Sequence, residues 1–241
     1  MAYFYKHLLW LSVSIMAILC LSCSVSNNID TPNNGSIISQ ATSTDIVPAA
    51  ETRKEKEADT NTDRVTLEIS NGSKARYIVR EQLASLTMPN DAIGKTEAVN
   101  GSIIFDSYGN IIEGSTIEID LRNLVSDKSR RDNYIRTKTL QTGSFPYATF
   151  TPTEIKDMPW PIPSQGEASF TIIGDLTIKD VTKKVTWTAS SIFSAQRVQT
   201  DAKLAITFDD FGIVKPRLAF IVSVENEITI ELDIKADLWF S

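Results

Sequence analysis

The sequence predicts an all-β fold, a closed antiparallel barrel or strongly curled sheet of about eight strands. Two observations carry this expectation. Phe170, Ile172, Gly174, Leu176 and Ile178 alternate with Thr171, Ile173, Asp175 and Thr177, and only Ile173 breaks the polar face. After Lys179-Asp180, Val181, Val185, Trp187 and Ala189 resume the alternation against Thr182, Lys184, Thr186 and Thr188. A period of two on both sides of a short polar join is the mark of a hairpin with one dry and one wet face. The second observation is that similar runs recur along the chain with short joins between them, as in a meander. Closure is favoured over a two-sheet sandwich because it leaves no exposed edge strand.

The remaining elements follow in order. Val65, Leu67 and Ile69 alternate with polar residues, and Asn71-Gly72 offers a tight turn into a second strand over 75–80, so an opening hairpin is expected. Residues 81–98 lack a clean period and read as a loop with one helical turn. A strand over 102–106 turns at Tyr108-Gly109-Asn110 into a strand spanning 111–124, where Ile117, Ile119 and Leu121 oppose Thr116, Glu118, Asp120 and Arg122. Over 126–140 the period changes. Ser126 or Asp127 is a candidate helix cap, with Tyr134, Ile135 and Thr137 as an apolar side. Strand character returns at 145–150 behind Pro146, which suits a strand start. Residues 158–163, Met-Pro-Trp-Pro-Ile-Pro, form a stiff loop before the central hairpin. Leu204, Ile206 and Phe208 mark a further strand running into Asp209-Asp210, and Ile228, Ile230, Leu232 and Ile234 mark the last.

Composition narrows the function. The 241-residue chain is 42% apolar and 22% charged, ordinary for a globular domain. Its formal net charge of −6, without a basic stripe, argues against nucleic acid as a partner. The single histidine is His7 and the two cysteines are Cys20 and Cys23, all near the amino terminus. The domain beyond them therefore has no His or Cys for nucleophilic catalysis, for a metal site or for an internal disulfide. Its core alone must hold it. Neither a cofactor nor a metal is expected, and the reading is of a protein that is not an enzyme.

Lys6 and His7 precede an apolar stretch over 8–19, the layout of a secretory signal, shorter than the ~20 residues a spanning helix needs. It ends at Cys20-Leu21-Ser22-Cys23, which resembles a bacterial lipoprotein signal with Cys23 as the lipidated residue. Cys20 departs from the aliphatic residue usual at that place. The expected organisation is a signal peptide over 1–22, a lipidated cysteine and disordered tether over 23–64, and a β-barrel domain over 65–241. The tether is rich in Ser, Thr and Asn, then in mixed charge, and cannot bury enough apolar area to offset chain entropy. About 40 such residues span roughly 35 Å. These features place the protein outside the cytoplasm, anchored to a membrane as a lipoprotein at the cell surface or in the periplasm.

Several motifs in order then carry a resemblance. Arg130-Arg131-Asp132, Phe145-Pro146-Tyr147-Ala148-Thr149-Phe150, Gly174-Asp175-Leu176-Thr177-Ile178 with Val181-Thr182-Lys183, and Asp210-Phe211-Gly212-Ile213 resemble the successive motifs of the YceI-like, polyisoprenoid-binding domain family, over roughly residues 73–235. The resemblance implies an extended lipocalin-like antiparallel β-barrel with one short helical connection. It also implies an apolar pore for a long-chain isoprenoid or other amphiphilic lipid. Where that family commonly has His, this chain has Asn133 and Lys179.

The expected pore set is Phe105, Ile117, Ile119, Phe150, Phe170, Ile172, Leu176, Trp187, Leu204, Ile206 and Phe208. An eight-stranded barrel is about the size at which such residues either fill the interior or admit one slender ligand, and sequence leaves both open. Arg130 and Arg131 are candidates for an anionic head group, and equally for a salt bridge that pins the helix to the barrel. Asp209 and Asp210 read as turn residues rather than as an acid–base pair. The leading expectation is a binding protein for an amphiphilic chain. The alternative is a filled barrel that presents loops, Trp160 among them, to a protein partner; the reading also admits a homodimer.

Overall fold

The computed structural model describes residues 64–241, and its strands form a closed antiparallel barrel. In chain order they are β1 (Val65–Ile69), β2 (Lys74–Leu83), β3 (Asn90–Thr96), β4 (Val99–Phe105), β5 (Thr116–Asp120), β6 (Tyr147–Lys156), β7 (Gln165–Ile178), β8 (Val181–Ser194), β9 (Arg197–Thr207), β10 (Ile221–Val224) and β11 (Glu227–Phe240). One short helix, α1 (Ser129–Tyr134), lies between β5 and β6 and runs into a wide π-type turn over Ile135–Thr139. The expected signal, Cys23 and the tether lie outside the described residues.

Eleven strands make only eight staves, because three staves are broken in two. β1 and β2 both lie antiparallel against β11, with Ile69 opposite Ala236 and Lys74 opposite Asp233. They are therefore one bent stave and not the hairpin that Asn71-Gly72 suggested. Gly72 takes a positive φ of 91°, the conformation a bulge needs, and Ser73 stitches the bulge to β11. Its buried hydroxyl donates toward the Ser70 and Lys235 carbonyls, at 2.9 and 3.1 Å, and accepts from the Lys235 N–H at 2.9 Å. β3 and β4 form the neighbouring broken stave, pairing with β2 and β1 respectively. Residues 81–98 thus contain the end of β2 and the whole of β3 where the sequence suggested a loop. Ala92, Gly94 and Thr96 do alternate inward, but two of the three are too small to register as an apolar stripe. β10 and β11 form the third, interrupted at Glu225-Asn226, with β10 extending the contact to β2.

The other five staves are continuous. β7 and β8 pair over their whole length from Gln165–Ser194 to Ile178–Val181, with Lys179 at positive φ in the turn. Gly174 faces inward where a Cβ would strike the backbone of Pro152, the residue at which β6 bulges. The strand read over 111–124 is shorter, beginning only at Thr116, and Leu121 belongs to a 3₁₀ turn over Leu121–Asn123. Phe208 lies just past the end of β9, yet is buried.

The helix also differs from its expected form. Its N-cap is Lys128, which makes no side-chain cap bond. Instead the Asp132 carboxylate reaches back to accept from the Ser126 N–H at 3.0 Å and hydroxyl at 2.5 Å. Its inward side is Arg131, Ile135 and Thr139, spaced by four, while Thr137 is exposed. The interior of the barrel is one apolar cluster running from Phe105, fully buried, to Phe211 in the 3₁₀ turn after β9.

Candidate functional site

The barrel interior is not solid. It holds two cavities that share Ile117, Phe150, Trp187 and Leu232 as common wall. The larger, about 140 Å³, lies under α1 and the segment around Ile213 and Pro216. The smaller, about 50 Å³, lies toward the other end, between β1, the end of β6 and the middle of β8 and β9. We call these the helix-end and far chambers. Phe150 and Trp187 form the waist between them, packed edge to face with centroids 5.7 Å apart and planes at 67°.

Most of the expected pore set meets this interior. Ile119, Leu176, Ile206 and Phe208 line the helix-end chamber, Phe170 and Ile172 the far one, and Ile117, Phe150 and Trp187 both. Phe105 and Leu204 are buried but line neither chamber. Phe105 instead packs against Trp160, with centroids 5.4 Å apart. Trp160 is half-buried, lies over Gly109, and its indole N–H donates to the Ser107 carbonyl at 3.1 Å. It closes an end of the core and does not stand out from its proline-rich loop.

The two arginines separate. Arg130 is exposed and lines neither chamber. Arg131 is only 2% exposed, and its guanidinium is held in an ion pair by the equally buried Glu81 of β2. It also donates to Asp127 at 2.6 Å and to the Ser126 hydroxyl at 3.3 Å. Its charge is thereby matched within the protein. Asp209 and Asp210 are occupied in the turn after β9. Asp210 accepts from the Thr207 N–H and hydroxyl, both at 2.7 Å, and Asp209 accepts from the Asn226 amide at 2.9 Å.

Other chamber residues were not singled out in the sequence. Tyr77 lies inward on β2, packed over Gly94, where any Cβ would intrude on its ring. Burial, with Asp132, Glu81 and Asp127 adding to it and Arg131 opposing, pushes the Tyr77 phenol well above its usual pKa, so it stays protonated. Thr139 and Leu140 join from the turn after α1, and Pro216, Ile221 and Val224 from the region of β10. One signal was available: Ala75, Val79 and Leu83 set the inward period of β2, and Glu81 falls on it. A carboxylate there demands a buried cation.

Closed up-and-down topology and an apolar, partly empty interior define the class: an antiparallel barrel with an internal cavity. The chain belongs to the YceI-like domain family, whose profile matches residues 58–236. It is 32% identical over 146 residues to a UPF0312 protein of Yersinia enterocolitica, covering 55% of this chain and 72% of that one. It is 28% identical, over the same shares, to the protein YceI of Escherichia coli. Among solved structures, a polyisoprenoid binding domain from Saccharophagus degradans, implicated in plant cell wall breakdown, has the same fold. Its TM-score is 0.57 at 13% identity, covering 72% of this chain and 97% of that one. Burkholderia cenocepacia BcnA superimposes with a TM-score of 0.51 at 17% identity, covering 68% and 96%.

Proposed function

We propose that this protein is a non-enzymatic binding protein that holds the long apolar chain of an isoprenoid or similar amphiphilic lipid inside its barrel. The observation that carries this reading is the divided interior, with free volume on both sides of a two-aromatic waist. An engineered apolar cavity of about 150 Å³ binds benzene, so the helix-end chamber at about 140 Å³ accepts a group of that size as it stands. A longer chain enters by turning Trp187 or Phe150 aside, which joins the chambers along the barrel axis. The name of the Saccharophagus degradans neighbour supports an isoprenoid as the chain. Anchoring through a lipidated Cys23, outside the cytoplasm, fits a carrier that meets its ligand at a membrane.

Native mass spectrometry and lipid extraction of the full chain, purified in detergent, test the reading. The expected result is a co-purifying or exchangeable amphiphile, with quenching or a shift of tryptophan emission as the waist opens. Absence of any bound or bindable amphiphile would sink it. Cys23→Ala is expected to release the protein from the membrane or leave it unprocessed, and full retention of a correctly processed mutant refutes the anchor.

A further inference from the structure

The two ends of the barrel differ in what their loops expose. At the helix end the β2–β3 loop over 84–89 meets the segment that leads from β9 into β10. The Ala84 N–H donates to the Phe220 carbonyl at 3.0 Å, and Leu83 pairs with Ile221. Along this double edge the side chains divide. Pro216, Ile221 and Val224 line the helix-end chamber. Leu86, Met88, Val214 and Val222 face solvent instead and are 45%, 72%, 64% and 67% exposed. Apolar residues scattered singly over a protein surface need no explanation, but four on two adjoining segments mark a contact site.

Charge narrows what makes the contact. Residues 84–89 and 211–224 contain no Asp or Glu, and their only charged side chains are Lys215 and Arg217. Both cations line an open groove of about 450 Å³ together with Leu218 and Val222. In the β5–β6 connection at the same end Lys128, Arg130 and Lys138 are exposed, against one exposed carboxylate, Asp127. The flanking Asp210 and Asp209 are held by Thr207 and Asn226. In a chain of net charge −6 this is a local reversal of sign. At the opposite end Tyr108, Trp239 and Phe240 are also exposed. There, however, the connections over 106–115 and 157–164 carry Asp106, Glu113 and Asp157 and no cation. A second copy meeting the helix-end face symmetrically would set Lys215 and Arg217 against their own counterparts. An anionic bilayer suits both properties, because apolar tips enter the acyl boundary while Lys and Arg reach the phosphates.

We propose that the helix end is the face by which this protein docks on a bilayer rich in anionic phospholipid, with Leu86, Met88, Val214 and Val222 inserted and Lys215 and Arg217 at the phosphate layer. Docked this way, the loops that wall the chamber from outside lie against the membrane. The assignment goes beyond the carrier reading and does not depend on it, since exposure and charge carry it without a ligand.

The test is amide exchange of the full chain reconstituted in vesicles of phosphatidylcholine alone, or of equal phosphatidylcholine and phosphatidylglycerol, with no ligand added. Two cations at an anionic surface are together worth about tenfold or more in partitioning. Amides over 84–89 and 211–224 are therefore expected to exchange about tenfold more slowly on the anionic vesicles than on the neutral ones. Salt at about 1 M, where the screening length falls to about 3 Å, is expected to remove most of that difference. Leu86→Ser with Met88→Ser, and separately Lys215→Gln with Arg217→Gln, are each expected to abolish most of the slowing. Unchanged protection of β7 and β8 shows that the barrel of each variant is folded. Equal exchange on the two vesicle types, or slowing that survives both double variants, overturns the proposal. Slowing over 106–115 and 157–164 instead makes the aromatic end the docking face and overturns it as well. So does slowing that appears in detergent and grows with protein concentration, which marks a second copy as the occupant. Each of these results leaves the carrier reading standing, and absence of a bindable amphiphile leaves the docking face standing.

Discussion

Truncating Trp187 to alanine tests the divided interior most directly. In a solid core, a Trp→Ala change costs about 3–5 kcal/mol, a transfer cost plus a cavity cost. Two features of this site lower the figure. The indole already borders free volumes of about 140 and 50 Å³, so its neighbours surrender fewer contacts. Its N–H is buried without a partner among the described residues, and removing it relieves a penalty of about 1–3 kcal/mol. Against these stands the lost edge-to-face pairing with Phe150, worth about 0.5–1.5 kcal/mol beyond area. The net expectation is a loss of about 2–3 kcal/mol, at or below the bottom of the solid-core range. For a folded region of this size that is a fall in Tm of roughly 5–10 °C. Urea unfolding with unchanged m-value measures it. The same variant is expected to join the two chambers, so competition with isoprenoid amphiphiles of increasing length is expected to favour longer tails than the wild type does. A loss of 5 kcal/mol or more, with no change in length preference, would falsify the divided interior and make Trp187 an ordinary core residue.

Other changes probe the polar framework and the bend. Glu81→Leu alone is expected to cost about 3–5 kcal/mol by stranding the Arg131 charge, whereas Glu81→Leu with Arg131→Met is expected to recover most of it; a double-mutant cycle in urea decides. Ser73→Ala removes a buried hydroxyl and leaves the Lys235 N–H without its acceptor, and is expected to cost about 1–3 kcal/mol, seen as an earlier urea midpoint. Acid should destabilise the barrel. Hydrogen bonds from Asn110 hold Asp106 below the usual carboxylate range, and those from Arg122, Thr207 and Arg76 do the same for Asp120, Asp210 and Glu231. A depressed folded pKa stabilises above the unfolded value and is lost as pH falls through the folded one, so the urea midpoint should drop below about pH 4. Asp106→Asn is expected to make that drop shallower.

Where local periodicity and tertiary pairing agree, the fold was legible in the residues. The β7–β8 hairpin is the clearest case, because its inward residues are large, its outward ones polar, and Lys179-Asp180 turns the chain without help from elsewhere. The Asn71-Gly72 signal misled because a turn dipeptide describes only the local bend. It gives the same positive φ in a hairpin and in a bulge, and the edge of β11, 160 residues away in sequence, decides between them. The strand at Asn90–Thr96 was hidden because Ala92 and Gly94 are small, Gly94 because the Tyr77 ring lies over it, a contact that no single segment reveals. The pore set was readable from alternation. The division of the interior was not, since it depends on how Phe150 and Trp187 meet across three strands. Arg131 was visible as a candidate, but the charge that claims it sits 50 residues upstream.

The three broken staves stand side by side, β10/β11 next to β1/β2 next to β3/β4, while β7, β8 and β9 run unbroken across the barrel. The cylinder thus has a stiff half and a jointed half. A bulge leaves backbone groups out of the ladder and lets a strand bend without breaking its neighbours' bonds. Three joints on consecutive strands form a seam along which the circumference is expected to open first. Amide exchange should therefore be fastest along that seam and slowest in β7 and β8, and ligands of different girth should alter protection on the jointed side first.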